Sequence, residues 1–390
     1  MSNSSKKQFW WNNAQHRALF FQVLLVAMVA GFLWFIGSNT LANLEKRGIA
    51  TGFGFLSMKS GFGILQSLIP FSEADSFGRT FLVGLLNTLL VSALGIVFAT
   101  IIGFTMGVAR LSSNWLISKL AAVYIETFRN IPLLLQIFFW YFAVLRALPT
   151  PRQSWSAADL AFLNIRGIYL PQPLFGDGFA MVLWTFIAAV IVTLFIKRWA
   201  RIRQEETGKQ FKFLRVAFGL IVGLPLLVFF LVGSPLSWDV PELKGFNFRG
   251  GMTIIPELTA LLIALSIYTA TFIAEAVRSG ILAVNTGQTE AASALGLHRR
   301  KVLKLVVIPQ ALRVIIPQLT SQYLNLVKNS SLATAIGYPD LVAVFAGTTL
   351  NQTGQAIEII GMTMAVYLFI SLTISAFMNW YNKKTMLVER

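Results

Sequence analysis

Long stretches without a charged residue recur along this 390-residue chain, and they constrain its fold more than any other feature. A helix needs about 20 consecutive apolar residues to cross the hydrocarbon core of a bilayer. Five uncharged runs meet or approach this length, at residues 18–37, 80–109, 178–196, 216–238 and 359–382. The chain is therefore predicted to be a membrane protein rather than a water-soluble globule.

Three shorter runs complete the predicted set of spans. The runs 130–145 and 258–274 become full spans if their helices extend past the charged residues at their cytoplasmic ends. The run 314–327 is interrupted by Pro317 and predicts either a broken helix or a helix inside the bundle. The predicted fold class is an all-α, polytopic membrane protein with about eight transmembrane helices.

The positions of the basic residues test this arrangement. The chain has 32 Lys and Arg against 16 Asp and Glu, a net charge of +16 that also occurs in proteins that bind nucleic acid. With eight spans, 21 of the 32 cations lie on the side of the termini and ten on the other. Cytoplasmic loops carry such an excess, so both termini are predicted to be cytoplasmic. The densest basic loop, 197–215, is predicted to contact lipid headgroups rather than nucleic acid.

Several classes of chemistry are excluded by composition. The chain has no cysteine and only two histidines, His16 and His298, so no thiolate or histidine metal centre is expected. The pair Gly208-Lys209 is followed by Gln210 and fails as a phosphate-binding loop. No nucleophile and base stand in a recognisable pattern. We expect neither a catalytic site nor a cofactor.

The most informative segment lies in the cytoplasmic loop after the sixth predicted span. Residues 290–295 read Glu-Ala-Ala-Ser-Ala-Leu and predict a short helix, with Thr289 as N-cap and Glu290 at the positive end of the helix dipole. Gly296 is predicted to end this helix in the left-handed conformation. A short helix with small side chains suits insertion into a groove of another protein; a plain surface turn is the alternative.

This loop resembles the EAA loop of ABC-importer permeases. Glu290-Ala291-Ala292 is followed by Gly296, and Pro309 stands thirteen residues after that glycine. In that family the loop forms the coupling helix that docks on the ATP-hydrolysing subunit. The resemblance implies a type I ABC-importer permease core, with these five residues as the ATPase-coupling set within 285–309.

Two further segments narrow the resemblance. Residues 126–142 and 309–332 are similar to the polar amino-acid subfamily, which includes the histidine, glutamine and glutamate permeases, and most of all to first permease subunits of general L-amino-acid importers. The resemblance implies three protein partners: a separate ATPase subunit, a second, homologous permease in a heterodimer, and a periplasmic amino-acid-binding protein. It also implies location in a bacterial inner membrane.

The resemblance covers residues 80–147 and 257–380, which suggests how the chain is organised. Residues 1–79 are predicted to form an anchor helix and an outer loop. Residues 80–380 form the permease domain, with an inserted two-span segment at 148–256. Residues 381–390 form a cytoplasmic tail.

Polar residues within or beside the spans are candidates for the transport path, because they are costly in lipid. Near the third span these are Arg129, Pro132 and Gln136. Arg129 has Glu126 three residues earlier, as Arg278 has Glu275, so each pair predicts a same-face ion pair, either at the interface or in a gate. Pro132 is predicted to break its helix, and Gln136 either faces the path or bonds a neighbouring helix.

A second polar group lies at the outer end of the seventh span, formed by Asn325, Lys328, Asn329 and Ser330. A cationic, hydroxyl-rich helix end suits an amino-acid carboxylate; a polar terminus capped by its own serines is the structural alternative. The sequence thus favours the permease subunit of an ATP-driven amino-acid importer. An ion-coupled secondary transporter is the alternative, although no inverted repeat or midplane acid supports it.

Overall fold

The computed structural model describes residues 13–46, 48 and 51–385, most of which are helical. Residues 1–12 of the predicted anchor segment and residues 386–390 of the predicted tail lie outside this described part. In chain order the α-helices are α1 (Ala14–Lys46), α2 (Phe77–Arg110), α3 (Trp115–Asn130), α4 (Leu133–Phe138), α5 (Phe179–Thr207), α6 (Phe213–Phe218), α7 (Leu224–Leu231), α8 (Pro256–Leu282), α9 (Thr286–Ala294), α10 (Arg299–Val302), α11 (Ile308–Asn329), α12 (Leu350–Thr353) and α13 (Ala356–Thr385).

The number of possible membrane spans agrees with the sequence. Seven helical segments among the described residues are long and apolar enough to cross a membrane, and α3 with the helical segment Leu133–Ala147 makes an eighth if both are one broken span. The helix does break at Pro132, as predicted, and Pro132 precedes the first residue of α4. The first helix is longer than predicted, because α1 continues to Lys46 into the expected outer loop.

The structure of the seventh span excludes one of the two alternatives that the sequence left open. Helix α11 continues through Pro317 without interruption, so the broken helix is wrong, and one face of the helix is buried while the opposite face is exposed. Its side chains Ile315, Ile316 and Leu326 are almost fully buried. Packing of this face against its neighbours holds the helix together where the proline removes one backbone hydrogen bond.

The chain divides into two compact units, one comprising the described residues up to Arg129 and from Tyr268 onward, the other Asn130–Ile267. In the first unit, α2 packs closely on the part of α8 that follows Tyr268. A Cβ atom on Gly107 would lie 2.6 Å from the carbonyl oxygen of Ala274. Small residues allow such close backbone approach in membrane helices. Side chains of α2, α8, α11 and α13 together form an apolar cluster in this unit, which includes Ile273, Ile315 and Met378.

The second unit contains a feature that the sequence did not predict. Its helices α5 and α7 pack on each other, and the segments outside them form short strands. These are β1 (Trp155–Ala157), β2 (Ala161–Asn164), β3 (Gly167–Leu170), β4 (Gln172–Phe175), β5 (Leu236–Asp239), β6 (Glu242–Lys244), β7 (Asn247–Arg249) and β8 (Met252–Ile254). All pairings are antiparallel, in one sheet of order β1-β2-β3-β8 and two pairs, β4-β5 and β6-β7. The described part of the chain is mainly helical, and its strands all lie within 155–254.

Candidate coupling segment and transport path

The short helix α9 lies where the sequence placed it, but it begins earlier. Asn285 is the N-cap, and its Oδ1 accepts a hydrogen bond from the backbone N–H of Gly287 at 2.8 Å. The prediction of Thr289 as N-cap is wrong, since Thr289 lies inside the helix and its hydroxyl donates to the carbonyl of Thr286. Glu290 is consequently in the second turn, not at the positive end of the dipole. Asn285 is a favoured N-cap type, which was the available sequence signal.

The end of α9 matches the prediction. Gly296 has φ +74°, in the left-handed region that favours glycine. Its N–H donates to the carbonyl of Ser293 at 2.9 Å, and the N–H of Leu297 donates to that of Ala292. No neighbouring atom lies within 4 Å of a Cβ built on Gly296, so backbone conformation alone requires glycine there.

One face of α9 is held and the other is exposed. Ala292 is buried against Val302 of α10 and Val307, the residue just before α11. Glu290 and Ala291 are exposed, and Leu295 is 82% exposed, although it is a large apolar side chain. Pro309 lies in the first turn of α11. The loop is thus a short helix fixed through Ala292 to the base of α11, with its remaining surface open.

A short basic helix follows α9 in the chain. Helix α10 consists of Arg299, Arg300, Lys301 and Val302, and its three basic residues are exposed. The N-cap of α10 is His298, whose Nδ1 accepts a hydrogen bond from the N–H of Arg300 at 3.3 Å. A surface of this charge suits an acidic partner surface.

The two predicted ion pairs have different outcomes. Arg278 Nε lies 3.1 Å from both carboxylate oxygens of Glu275, as predicted for positions three apart on α8. Glu126 is paired with Arg110 of α2 at 3.7 Å. The positive charges of Arg129 and Arg110 also act on the Glu275 carboxylate. A cluster of opposite charges therefore joins α2, α3 and α8.

Arg129 and Pro132, two of the predicted path residues near the third span, are exposed. Gln136 is buried, and its Nε2 donates to the carbonyl oxygen of Ile131 at 3.0 Å. That bond satisfies a backbone group freed by the break at Pro132, and it gives Gln136 a structural role that the sequence did not single out.

The four polar residues predicted at the end of α11 differ in burial. Ser330 is buried, and its hydroxyl donates to the carbonyl of Val327 at 2.7 Å, which is the structural alternative. Asn325 is exposed and Asn329 is partly exposed. Lys328 is also exposed and lies on a cavity of about 350 Å³, lined by Lys328, Ser331, Val342, Thr363, Met364 and Tyr367.

Sequence reasoning missed an acid beside this cavity. Asp340 is 1% exposed, and its Oδ1 accepts a hydrogen bond from the N–H of Ala343 at 2.9 Å. The hydroxyl of Tyr367, which lines the cavity, donates to Oδ2 at 3.4 Å. Burial raises the pKa of Asp340 to about 6. The signal was available, because few acidic residues follow Glu290 in the sequence.

Comparison with known proteins agrees with this arrangement of spans and loop. Residues 208–385 match the family model described as "Binding-protein-dependent transport system inner membrane component". The permease protein YhdX of Escherichia coli (strain K12) is 59% identical, over 97% of this chain and 96% of its own length. AapQ of Rhizobium johnstonii, a general L-amino acid transport system permease protein, is 54% identical over 96% and 94%. This chain belongs to the amino-acid ABC transporter permeases.

More distant matches were also found. BztB of Rhodobacter capsulatus, a glutamate/glutamine/aspartate/asparagine transport system permease protein, is 42% identical, over 94% of this permease and 93% of its own length. A crystal structure of an amino acid ABC transporter with histidines aligns with a TM-score of 0.47 and 20% identity, covering 79% of this permease and 95% of that chain.

The family decides between the alternatives left open by the sequence. The permease is a multi-pass membrane protein and the permease subunit of an amino-acid ABC importer, as predicted. The alternative of an ion-coupled secondary transporter is wrong, because the relatives are ABC permeases. They are transport subunits rather than enzymes.

Proposed function

We propose that α9 and the turn after it dock this permease on a separate ATP-hydrolysing subunit. The observation that carries the proposal is the division of α9 into a face anchored through Ala292 and an exposed face with Glu290, Ala291 and Leu295. The exposed Leu295 and the basic helix α10 would supply the apolar and charged contacts of a docking surface. Within the coupling segment, 285–309, Gly296 ends α9 and Pro309 lies in the first turn of α11.

The anchored face would carry movement into the membrane. Ala292 packs on Val302 and Val307, and Val307 immediately precedes α11. Helix α11 in turn places Ile315 and Leu326 in the apolar cluster formed by α2, α8, α11 and α13. A displacement of α9 by the ATPase would therefore shift α11, because close-packed side chains transmit displacement. ATP binding would thus bias the permease between inward and outward access.

Two further partners complete the transporter. A second, homologous permease would cover part of the exposed apolar helices, and a periplasmic amino-acid-binding protein would deliver the substrate. The charge distribution supports an orientation with both termini in the cytoplasm of a bacterial inner membrane. The segment 148–256 is proposed as an insert in a permease domain of residues 80–380, after an anchor and outer loop at 1–79 and before a tail at 381–390.

The cavity at Lys328 is the best supported part of the transport path. The ammonium group of Lys328 would attract the carboxylate of an amino acid, while Met364 and Val342 supply apolar contact. Asn325 and Asn329 lie on the same helix end as Lys328. Arg129 lies with Arg110 near Glu275, at the cytoplasmic ends of the spans, and would act on the path there. The name of AapQ supports a broad range of L-amino acids as substrates.

The docking proposal is tested by replacing Gly296 with valine in the complete transporter. A β-branched residue is strained at φ +74° by about 1–3 kcal/mol, so the end of α9 should change its path. We expect the ATPase subunit to be lost when the permease is purified through an affinity tag, while insertion in the membrane is unchanged.

Gly208 provides the matched control. It ends α5 with φ +68° and likewise has no neighbour within 4 Å of a built Cβ. Gly208→Val should therefore retain the ATPase. Full ATPase retention in Gly296→Val, or equal loss in both variants, would reject α9 as the docking element.

A further inference from the structure

The turn between α5 and α6 lies at the membrane surface, because it joins two segments that can span the bilayer, Phe179–Thr207 and Phe213–Leu231. Residues 178–196 carry no charge. At 1.5 Å per residue they extend about 28 Å, close to the hydrocarbon thickness of about 30 Å. Lys197 and the residues after it therefore reach the headgroup region.

This turn is strongly basic. Residues 197–215 contain seven Lys and Arg and two Glu. One cation is partly neutralised by the ion pair of Arg201 with Glu205, at 3.0 Å. The cations of the segment are all exposed, and they are Lys197, Arg198, Arg201, Arg203, Lys209, Lys212 and Arg215. The turn thus carries excess positive charge at the depth where lipid phosphates lie.

Along one exposed stripe of α5, apolar side chains are followed by tryptophan and then by arginine. A phospholipid presents its acyl chains, interfacial region and phosphate in the same order. Ile191, Phe195, Trp199 and Arg203 follow one another at intervals of four residues, which places them on one helix face. The first three are 48%, 70% and 49% exposed. Aliphatic and phenyl groups suit acyl chains, tryptophan suits the interface, and arginine suits a phosphate.

The turn itself is folded back on this stripe. Gly208 ends α5 with φ +68°, and the ring of Phe211 then lies 5.4 Å from that of Trp199, edge to face. Arg203 Cζ lies 5.1 Å from the centre of the Trp199 ring on α5. Lys212 follows Phe211 directly in the sequence and is exposed. The turn thus combines one cation over the Trp199 ring with a second exposed cation next to Phe211.

We propose that the α5–α6 turn is a binding site for an anionic phospholipid. Its phosphate binds Arg203 and Lys212, and an acyl chain lies along Phe195 and Trp199. Charge complementarity and the position at the bilayer surface favour a lipid. A nucleic acid has no acyl chain to contact the apolar residues of the stripe. The site is independent of ATPase docking and of the substrate path.

The test uses the full transporter in nanodiscs of phosphatidylcholine with increasing phosphatidylglycerol. Bound lipid is counted by native mass spectrometry after gentle release, and its affinity is obtained by titration. Each basic residue near an anionic surface contributes about fivefold in affinity, so Arg203→Gln with Lys212→Gln should weaken phosphatidylglycerol binding about 25-fold. Trp199→Ala should weaken it as well, without a change in charge.

Arg166 and Arg249 give the control, since both are exposed arginines among the strands of the same unit. Arg166→Gln with Arg249→Gln removes the same charge and should leave phosphatidylglycerol binding unchanged. Three results would each overturn the site: equal affinity for the two lipids, equal weakening in both double variants, or displacement of the lipid by millimolar inorganic phosphate. Binding of a short RNA in preference to phosphatidylglycerol would also overturn it.

Discussion

The hydroxyl oxygen of Thr88 in α2 accepts a hydrogen bond from the backbone N–H of Leu341 at 3.0 Å, and both residues are fully buried. Asn87, the preceding residue, donates from Nδ2 to the carbonyl of Pro339 at 2.9 Å. A Cβ built on Gly84 would lie 2.9 Å from Leu341 Cα. One turn of α2 therefore fixes the segment that leads into the π-helix Val342–Thr349 and the cavity at Lys328.

Replacing Thr88 with valine should lower the free energy of unfolding by about 1–3 kcal/mol, because the buried N–H of Leu341 would lose its partner. Thermal unfolding in detergent measures the change. Thr373→Val is the control, since Thr373 is exposed on α13 and its hydroxyl bonds only its own helix, at the carbonyl of Phe369. Equal effects of the two substitutions would contradict this role of Thr88.

Replacing Gly103 with leucine should prevent close packing of α2 on α8. A side chain at Gly103 would collide with Ile273 and approach the carbonyl of Ala270 at 3.0 Å. Overpacking of this kind costs about 1–3 kcal/mol or more, so the melting temperature and the yield of folded protein should fall. Gly361→Leu on α13 has no neighbour within 4 Å of a built Cβ and should behave as the parent.

Stability should depend on the ionisation of Asp340. Its pKa is raised from 3.8 to about 6 by burial, so the folded state binds the proton more tightly than the unfolded state. The resulting stabilisation is complete below about pH 4, declines as pH rises through 6 and is then absent; its size is on the order of 3 kcal/mol. Thermal unfolding at pH 4 to 7 should show this decline in stability in the parent, and the decline should be absent in Asp340→Asn. Identical pH profiles would contradict it.

The two ion pairs near α8 should differ in strength. Glu275 and Arg278 are bonded through two oxygens at 3.1 Å, whereas Arg110 and Glu126 are 3.7 Å apart and Glu126 is largely exposed. Double-mutant cycles with Gln substitutions should give about 1 kcal/mol for the first pair and less for the second, because bidentate geometry strengthens the bond and solvent weakens the exposed pair. A larger coupling for the second pair would contradict this ranking.

Much of the architecture was readable from the sequence. The uncharged runs predicted the spans, since transfer of a helix into lipid depends on its own consecutive residues. Pro132 was predicted to break its helix and does so. Gly296 was predicted to be left-handed, and its φ is +74°. The motif around Glu290 indicated the family, which the relatives confirm.

Other features could not be read, because they depend on residues far apart in the chain. Pro317 allowed two outcomes, and burial of Ile315 and Ile316 selected the continuous helix. Asn285 and Thr289 were both suitable caps, and packing of Val284 and Ala292 in one cluster accompanies the earlier start. The strands β3 and β8 pair across 81 residues of intervening chain, which no local pattern predicts.

The sequence by itself determined that this permease lies in a membrane, that it has seven or eight possible spans and where the short helix proposed for coupling lies, because each depends on properties of contiguous residues. Only the tertiary structure decided which polar groups are used. It buried Ser330 and Gln136 in bonds to nearby backbone carbonyls, opened Lys328 to a cavity and placed Asp340 beside it. Burial and hydrogen bonding depend on what packs around a side chain, and that is set by contacts between distant parts of the chain.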